Sequence, residues 1–260
     1  MSVIYLAGKV KRIVCFYQEM LDKMFVYTLL GKYKTNYFPA FYYFVYIWQV
    51  FGEENRKVSF KNWQECKFLR IMEVEKTEIG GVVIIKPRLF EDARGYFFES
   101  FSQHEFDEKV RAIRFVQDNE SKSGYGVVRG LHFQKPPFTQ SKLVRVIEGS
   151  VLDVAVDIRK GSPSYGKYVS VELTAENHLQ FFVPKGFAHG FAVLSKIAVF
   201  QYKCDEFYTP ASEGALAWND PNLAIDWRIP AEEVQLSMKD TDHPFLKDFD
   251  SPFDFYTSLY

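Results

Sequence analysis

Three cysteines in 260 residues, Cys15, Cys66 and Cys204, stand too far apart for a disulfide framework or for the paired spacing of a zinc site. Their scarcity excludes a cystine-stapled secreted scaffold, and a reducing compartment, the cytoplasm, is expected. Net charge is also nearly absent, at -1, although it hides an uneven split. Residues 1–71 carry 11 Lys+Arg against 5 Asp+Glu, and the remainder carries 21 against 28. The acidic larger part lacks the clustered basic face of a nucleic-acid binder, so no nucleic-acid partner is expected. Long hydrophobic runs are missing too. The most apolar stretch, residues 37–48, is shorter than the ~20 residues of a spanning helix and is broken by Pro39. The first 11 residues have neither the long apolar core nor the small-residue cleavage site of a secretory signal.

What is present is apolar surface enough for a real core, with 47% of residues hydrophobic. Aromatic residues fill 18 of the first 71 positions without a helical or strand period. Residues 1–71 are therefore expected to be a poorly structured extension, with Met72 as the functional start. The competing reading is a segment that touches a membrane interface; no membrane contact is expected of residues 72–260. From Met72 onward, short β-rich runs cover residues 82–85, 96–100, 143–147, 151–158, 168–173, 180–183, 189–194 and 198–204. Turn formers such as Gly149-Ser150 and Gly161-Ser162-Pro163-Ser164 separate them. This spacing predicts an all-β antiparallel sandwich or barrel, with helical patches at 102–111 and a turn near 231–234. The run 151–157 alternates only partly, which marks a central strand whose Asp153 and Asp157 need partners.

Two segments carry the chemistry. Arg129-Gly130-Leu131-His132-Phe133-Gln134, with Lys142 and Gly149 behind it, is answered by Pro184-Lys185-Gly186-Phe187-Ala188-His189. The pair resembles the two-part motif of a metal-binding cupin with its ligands replaced. Gln134 stands for a second His, and Lys142 stands where a Glu would be. An ammonium offers three donors and no lone pair, so neither a metal nor another cofactor is expected. What remains is a base candidate, His132, beside a fixed cation, Lys142, a pairing suited to removing a proton next to a carbonyl and stabilising the enolate.

The other candidates each have a bland alternative. His189 suits a strand wall lining a cavity, or a core position orienting a neighbour. Tyr202 shares a strand face with Phe200; it is a competent proton donor if it faces the base, and otherwise packs. Arg94 and Arg129 could fork onto phosphate, although Arg94 could equally pair with Glu91 or Asp92. Phe97, Tyr208 and Trp218 could stack on a base or fill the core. Gln117 and Asn119 could read a pyrimidine edge or cap a turn.

In sequence order, the blocks Phe90 to Ser100, Phe115 to Asn119, Arg129 to Gln134, Lys142 to Arg145, Val154 to Arg159, Pro184 to Phe191, Ser212 to Gly214, Trp218 to Asp220 and Leu236 to Asp240 closely resemble the dTDP-4-dehydrorhamnose 3,5-epimerase family. The likeness covers roughly residues 72–249. It implies a cupin jelly-roll and a homodimer in which the first strands of one subunit complete the other's site. It also implies metal-independent epimerisation of dTDP-4-dehydro-6-deoxy-D-glucose at carbons 3 and 5, a step in dTDP-L-rhamnose biosynthesis. By the same resemblance His132 is the base and Asp240 orients it, Tyr202 is the acid, and Lys142 stabilises the enolate. Arg94, Phe97, Glu99, Gln117, Asn119, Arg129, His189, Glu213 and Lys239 are expected to contact substrate, and Tyr208 to stack on thymine. The alternatives are a relative that epimerises one carbon only, a keto-isomerase, and a non-catalytic sugar-binding cupin.

Overall fold

The computed structural model describes residues 72–260, and the expected extension over 1–71 lies outside the described residues. β1 (Met72–Lys76) and β2 (Val83–Pro87) form an antiparallel hairpin, its turn tied by the Thr77 hydroxyl donating to the Val82 carbonyl at 2.9 Å. β3 (Phe90–Asp92) and β4 (Gly95–Phe97) make a small separate ribbon. The predicted run over 96–100 thus ends early, as the chain turns toward the helix α1 (Gln103–Lys109). Ser102 caps α1 by accepting from the Glu105 amide, Glu105 pairs with Lys109 one turn on, and Phe106 buries the inner face.

Nine strands build the sandwich with β1 and β2. They are β5 (Gln117–Gly124), β6 (Val128–Gln134), β7 (Lys142–Glu148), β8 (Ser150–Asp157), β9 (Tyr168–Thr174), β10 (Gln180–Val183), β11 (Phe187–Val193), β12 (Ile197–Cys204) and β13 (Glu213–Ala215). One antiparallel sheet runs β1-β2-β10-β7-β12-β5, and the other runs β13-β6-β11-β8-β9. Facing sheets of this kind make the jelly-roll expected from the sequence. Among the described residues no helix is long and apolar enough to cross a membrane.

Strand periodicity assigns each side chain to a layer. In β8, Val151 and Ala155 point between the sheets, whereas Leu152, Val154 and Val156 point to an outer layer with Leu216, Leu223, Trp227 and Phe253. That double burial explains the broken alternation, since both faces of β8 are covered. The inner core gathers Val144, Val146, Phe181, Val183, Phe187, Phe191 and Phe200, with Phe191 and Phe200 stacked at 4.2 Å. Burial of each such side chain contributes roughly 1.5–3 kcal/mol. Continuing the same faces, Lys142, Tyr202, Cys204, Asp153 and His189 also point inward. The sandwich is therefore apolar toward one end and polar toward the other.

Asp157, on the inner face of β8, holds the loop that follows. It accepts from the Arg159 amide at 3.0 Å, from Arg159 Nε and Nη2 at 2.8 and 2.7 Å, and from the Ser162 and Ser164 hydroxyls at 2.5 and 2.7 Å. Burial raises its carboxyl, but these bonds outweigh it and hold the group below its ordinary value. The folded state thus favours the ionised form, and this stabilisation is present above the ordinary carboxylate range and lost as pH falls through the depressed value. Asp157→Asn is expected to cost about 3 kcal/mol at neutral pH in urea unfolding, because Arg159 loses its partner. The difference from the parent should shrink below about pH 4.

Candidate active site

The polar end is assembled from both sheets. On β6, Leu131 and Phe133 face the outer layer, so His132 between them faces inward, opposite His189 in the β6–β11 ladder. These strands run closer than side chains would permit. A Cβ on Gly130 would lie 2.5 Å from the Gly190 Cα, and one on Gly190 would lie 2.7 Å from the Arg129 carbonyl. Gly130 also sits at φ +129°, which only glycine adopts readily. A register shift between His189 and Phe191 accompanies this contact, as a bulge that re-aims side chains would.

His132 Nε2 lies 2.5 Å from Asp240 Oδ1, and the Ser237 hydroxyl donates to Oδ2 at 2.7 Å. Asp240 is buried on the short helical turn Met238–Thr241. Burial pushes its carboxyl up, yet the bonds from His132 and Ser237 and the charge of His132 and His243 together hold it below the ordinary value. An ionised Asp240 must accept here, so the proton lies on His132 Nε2 and the ring is held in one orientation.

Lys142 and Tyr202 approach from the other sheet. Lys142 opens β7 opposite Cys204, and Tyr202 on β12 lies between Val144 and Asn119. The Lys142 ammonium is 5.9 Å from the Tyr202 ring centre. Burial lowers the pKa of Lys142 below an ordinary lysine's, with Cys204, Asp153 and Glu213 partly compensating. Burial raises Tyr202 and pushes the Cys204 thiol up to about 11. Behind them His189 Nε2 meets both Asp153 oxygens at 2.9 and 3.1 Å; burial lowers the imidazole and raises the carboxyl.

A chain of polar groups continues along the rim. Gln117 donates to Asn119 at 2.9 Å and accepts from the Tyr208 amide at 3.0 Å. Tyr208 donates to Glu213 at 3.2 Å, and Lys239 pairs with Glu213 at 3.5 Å. Arg129 donates to the Ser123 hydroxyl at 3.2 and 3.3 Å. Three expected residues do not join them in this chain. Arg94, its side chain 90% exposed, grips Asp92; Phe97 is exposed on the β3–β4 ribbon; Glu99 lines a small cleft with Met72, Ile85 and Phe106. Sequence reasoning missed Ser237 and His243, whose signal was their spacing of three residues on either side of Asp240.

Two of the positions where a metal cupin would place its ligands, Gln134 and Lys142, do not fit a divalent ion. Gln134 spends its amide on the Phe138 and Phe207 carbonyls at 2.6 and 3.1 Å and its oxygen on the Thr209 amide at 2.6 Å. Lys142 offers no lone pair while protonated.

Fold and site together define a class, jelly-roll cupins with Gln134 and Lys142 where a metal cupin would carry ligands. A family model described as dTDP-4-dehydrorhamnose 3,5-epimerase matches residues 76–248, and the chain belongs to that family. It is 53% identical over 170 residues to the dTDP-4-dehydrorhamnose 3,5-epimerase of Shigella flexneri, covering 65% of this chain and 93% of the relative. A solved structure from Legionella pneumophila Philadelphia 1, an epimerase in complex with dTDP-4-keto-L-rhamnose, is 49% identical. It matches with TM-score 0.69 over 72% of this chain and all of its own. A 3'-monoepimerase from Streptomyces bikiniensis in complex with dTDP-quinovose is 31% identical, with TM-score 0.62 over 66% of this chain and 87% of its own.

The short bond between His132 and Asp240 has a spectroscopic consequence. Proton NMR should show a strongly downfield imidazole N–H resonance that disappears in Asp240→Ala, with a stability loss of about 1–3 kcal/mol from the unpaired imidazole.

Proposed function

We propose that this protein epimerises dTDP-4-dehydro-6-deoxy-D-glucose at carbons 3 and 5, giving dTDP-4-dehydro-L-rhamnose. The observation that carries the reading is the ionised Asp240 behind His132 on one sheet, with Lys142 and Tyr202 on the facing sheet. A sugar between the sheets would present opposite ring faces to His132 and Tyr202. Both carbons flank the carbonyl at carbon 4, so each C–H bond is acidified by the same oxygen. His132, deprotonated at its remaining nitrogen, takes the proton from one face. The electron pair moves onto the carbonyl oxygen, where Lys142 stabilises the enolate. Tyr202 returns a proton to the other face and the centre inverts. Placed acids and bases typically supply ~10²–10⁴ in rate each. A charged donor aimed at the oxyanion adds about 3 kcal/mol.

The rim has the chemistry to hold the rest of the substrate. Arg129 suits the diphosphate, Gln117 and Asn119 the base edge, and Tyr208 the thymine face. Glu213, Lys239 and His189 complete the sugar pocket. Arg94, Phe97 and Glu99 belong to this site if a second copy of the chain lends its β3–β4 ribbon, so the working unit is a homodimer. Their exposure supports that reading, because a phenylalanine 69% exposed and an arginine side chain 90% exposed both lack cover among the described residues.

Incubation with the 4-keto substrate in heavy water, followed by NMR, is expected to place deuterium at carbons 3 and 5. Label at one carbon alone would make the protein a monoepimerase, and no label would reject the enzymatic reading. His132→Asn should abolish exchange, whereas Tyr202→Phe should leave exchange and impair inversion at carbon 5.

The alkaline limb of kcat/KM tests Lys142. Its pKa is lowered from 10.5 by burial, so the cation is lost as pH rises through that lower value, while burial moves Tyr202 the other way, up from 10.0. The limb should fall below the pH of an ordinary lysine and move to higher pH in Lys142→Arg, whose guanidinium keeps its charge.

A further inference from the structure

One polar atom beside the His132–Asp240 pair has no role in this chemistry. Among the described residues His243 Nε2 is buried without a hydrogen-bond partner, although its ring stands edge-on to that of His132 with centroids 6.2 Å apart. It lies 3.8 Å from Asp240 Oδ1, too far for a hydrogen bond. The turn after Asp240 thus aims a nitrogen lone pair or N–H at a carboxylate that already serves His132 and Ser237.

One ligand atom each from His132, Asp240 and His243 lies within 4.8 Å of the others. Zinc binds imidazole nitrogen and carboxylate oxygen at about 2.0–2.2 Å, so the ligand atoms of a tetrahedral site stand roughly 3.4 Å apart. The separations of 2.5 Å from His132 to Asp240 and 3.8 Å from His243 to Asp240 bracket that value. The two histidine nitrogens lie no more than 4.8 Å apart, so side-chain adjustments of about 1–1.5 Å would bring the three onto one ion, leaving its fourth position to water. His132 would surrender its Nε2 proton to solvent, and its partly exposed ring leaves a route for entry.

We propose that His132, Asp240 and His243 form an inhibitory site for a borderline-soft divalent ion such as Zn²⁺, one that shares only His132 with the cupin metal position and draws its other two ligands from outside that motif. Two imidazoles and one carboxylate select Zn²⁺ or Co²⁺ over Mg²⁺ and Ca²⁺, which prefer all-oxygen shells. A bound ion takes the orienting carboxylate and the base in one step. The inhibitory consequence rests on the proposed role of His132, whereas the binding does not.

The test uses the full chain, stripped of metal and free of any polyhistidine tag, titrated with ZnCl₂ by calorimetry and assayed in parallel for deuterium exchange. One Zn²⁺ per chain is expected, with inhibition that chelator reverses and no comparable effect of MgCl₂. His243→Phe keeps a ring against His132 but removes both nitrogens, and His243→Ala guards against a packing artefact. Each should weaken Zn²⁺ binding by more than the ~10–100-fold typical of losing an outer-shell partner, with inhibition compared against each variant's own metal-free activity. Absent Zn²⁺ binding, or binding that neither variant weakens, overturns the site. Binding that needs His243 in a protein showing no exchange would keep the site and reject the epimerase reading. Binding without inhibition of an active enzyme would overturn the inhibitory role.

Discussion

A carboxylate taken out of water must find a partner, and the buried aspartates of this chain decide where its irregular segments go. Asp153 meets His189 within the sheet, and Asp157 gathers Arg159, Ser162 and Ser164. Asp205 accepts from the Ser141 amide and faces Lys185, joining the entries of β7 and β11. Asp220 accepts from the amides of Asn222 and Leu246, which fastens the long segment after β13. Asp240 then reaches β6 across 108 residues of sequence. Each contact gives a buried carboxylate its partner, and those of Asp220 and Asp240 bring the strand-poor segment after β13 back onto the sandwich.

The division of the interior follows from the same rule. Toward one end the facing strands supply Val, Phe and Ala, which attract without direction. Toward the other, the same inward faces supply Lys142, Tyr202, His189 and Asp153, whose cost of burial is offset only by specific partners. A site of this kind comes with its electrostatics already set: the lysine is lowered, the phenol and thiol raised, and the Asp240 carboxylate held ionised. Little reorganisation is left for the moment of reaction.

Strands carrying alternating or continuous apolar runs were legible in the sequence to within a residue or two, apart from the run 96–100, which ends at Phe97; so were α1 and the turn at Ala231–Glu233. β5 was not, because Gln117, Asn119, Ser121 and Ser123 occupy its inner face and read as loop residues. β6 was obscured by Gly130, whose backbone role depends on Gly190 in a strand about sixty residues away. His132, Lys142 and the buried Asp153 and Asp157 were legible as residue types, while their partners came through the family resemblance or the fold. Arg94, Phe97 and Glu99 mark where reading a single chain ends, since their surroundings within it leave them outside the cluster.

β5 bears on more than recognition. Among the described residues it is the outermost strand of its sheet, with one side of its backbone unpaired. Such an edge invites another chain's strand to add on, and charged side chains are the usual deterrent. Asp118, Glu120 and Lys122 provide that charge on the exposed face, while the amides and hydroxyls opposite them face the cavity. The polarity that hides this strand from a reader of the sequence also guards it against aggregation. Charge toward solvent and polar groups toward the cavity are carried on the two faces of one eight-residue segment.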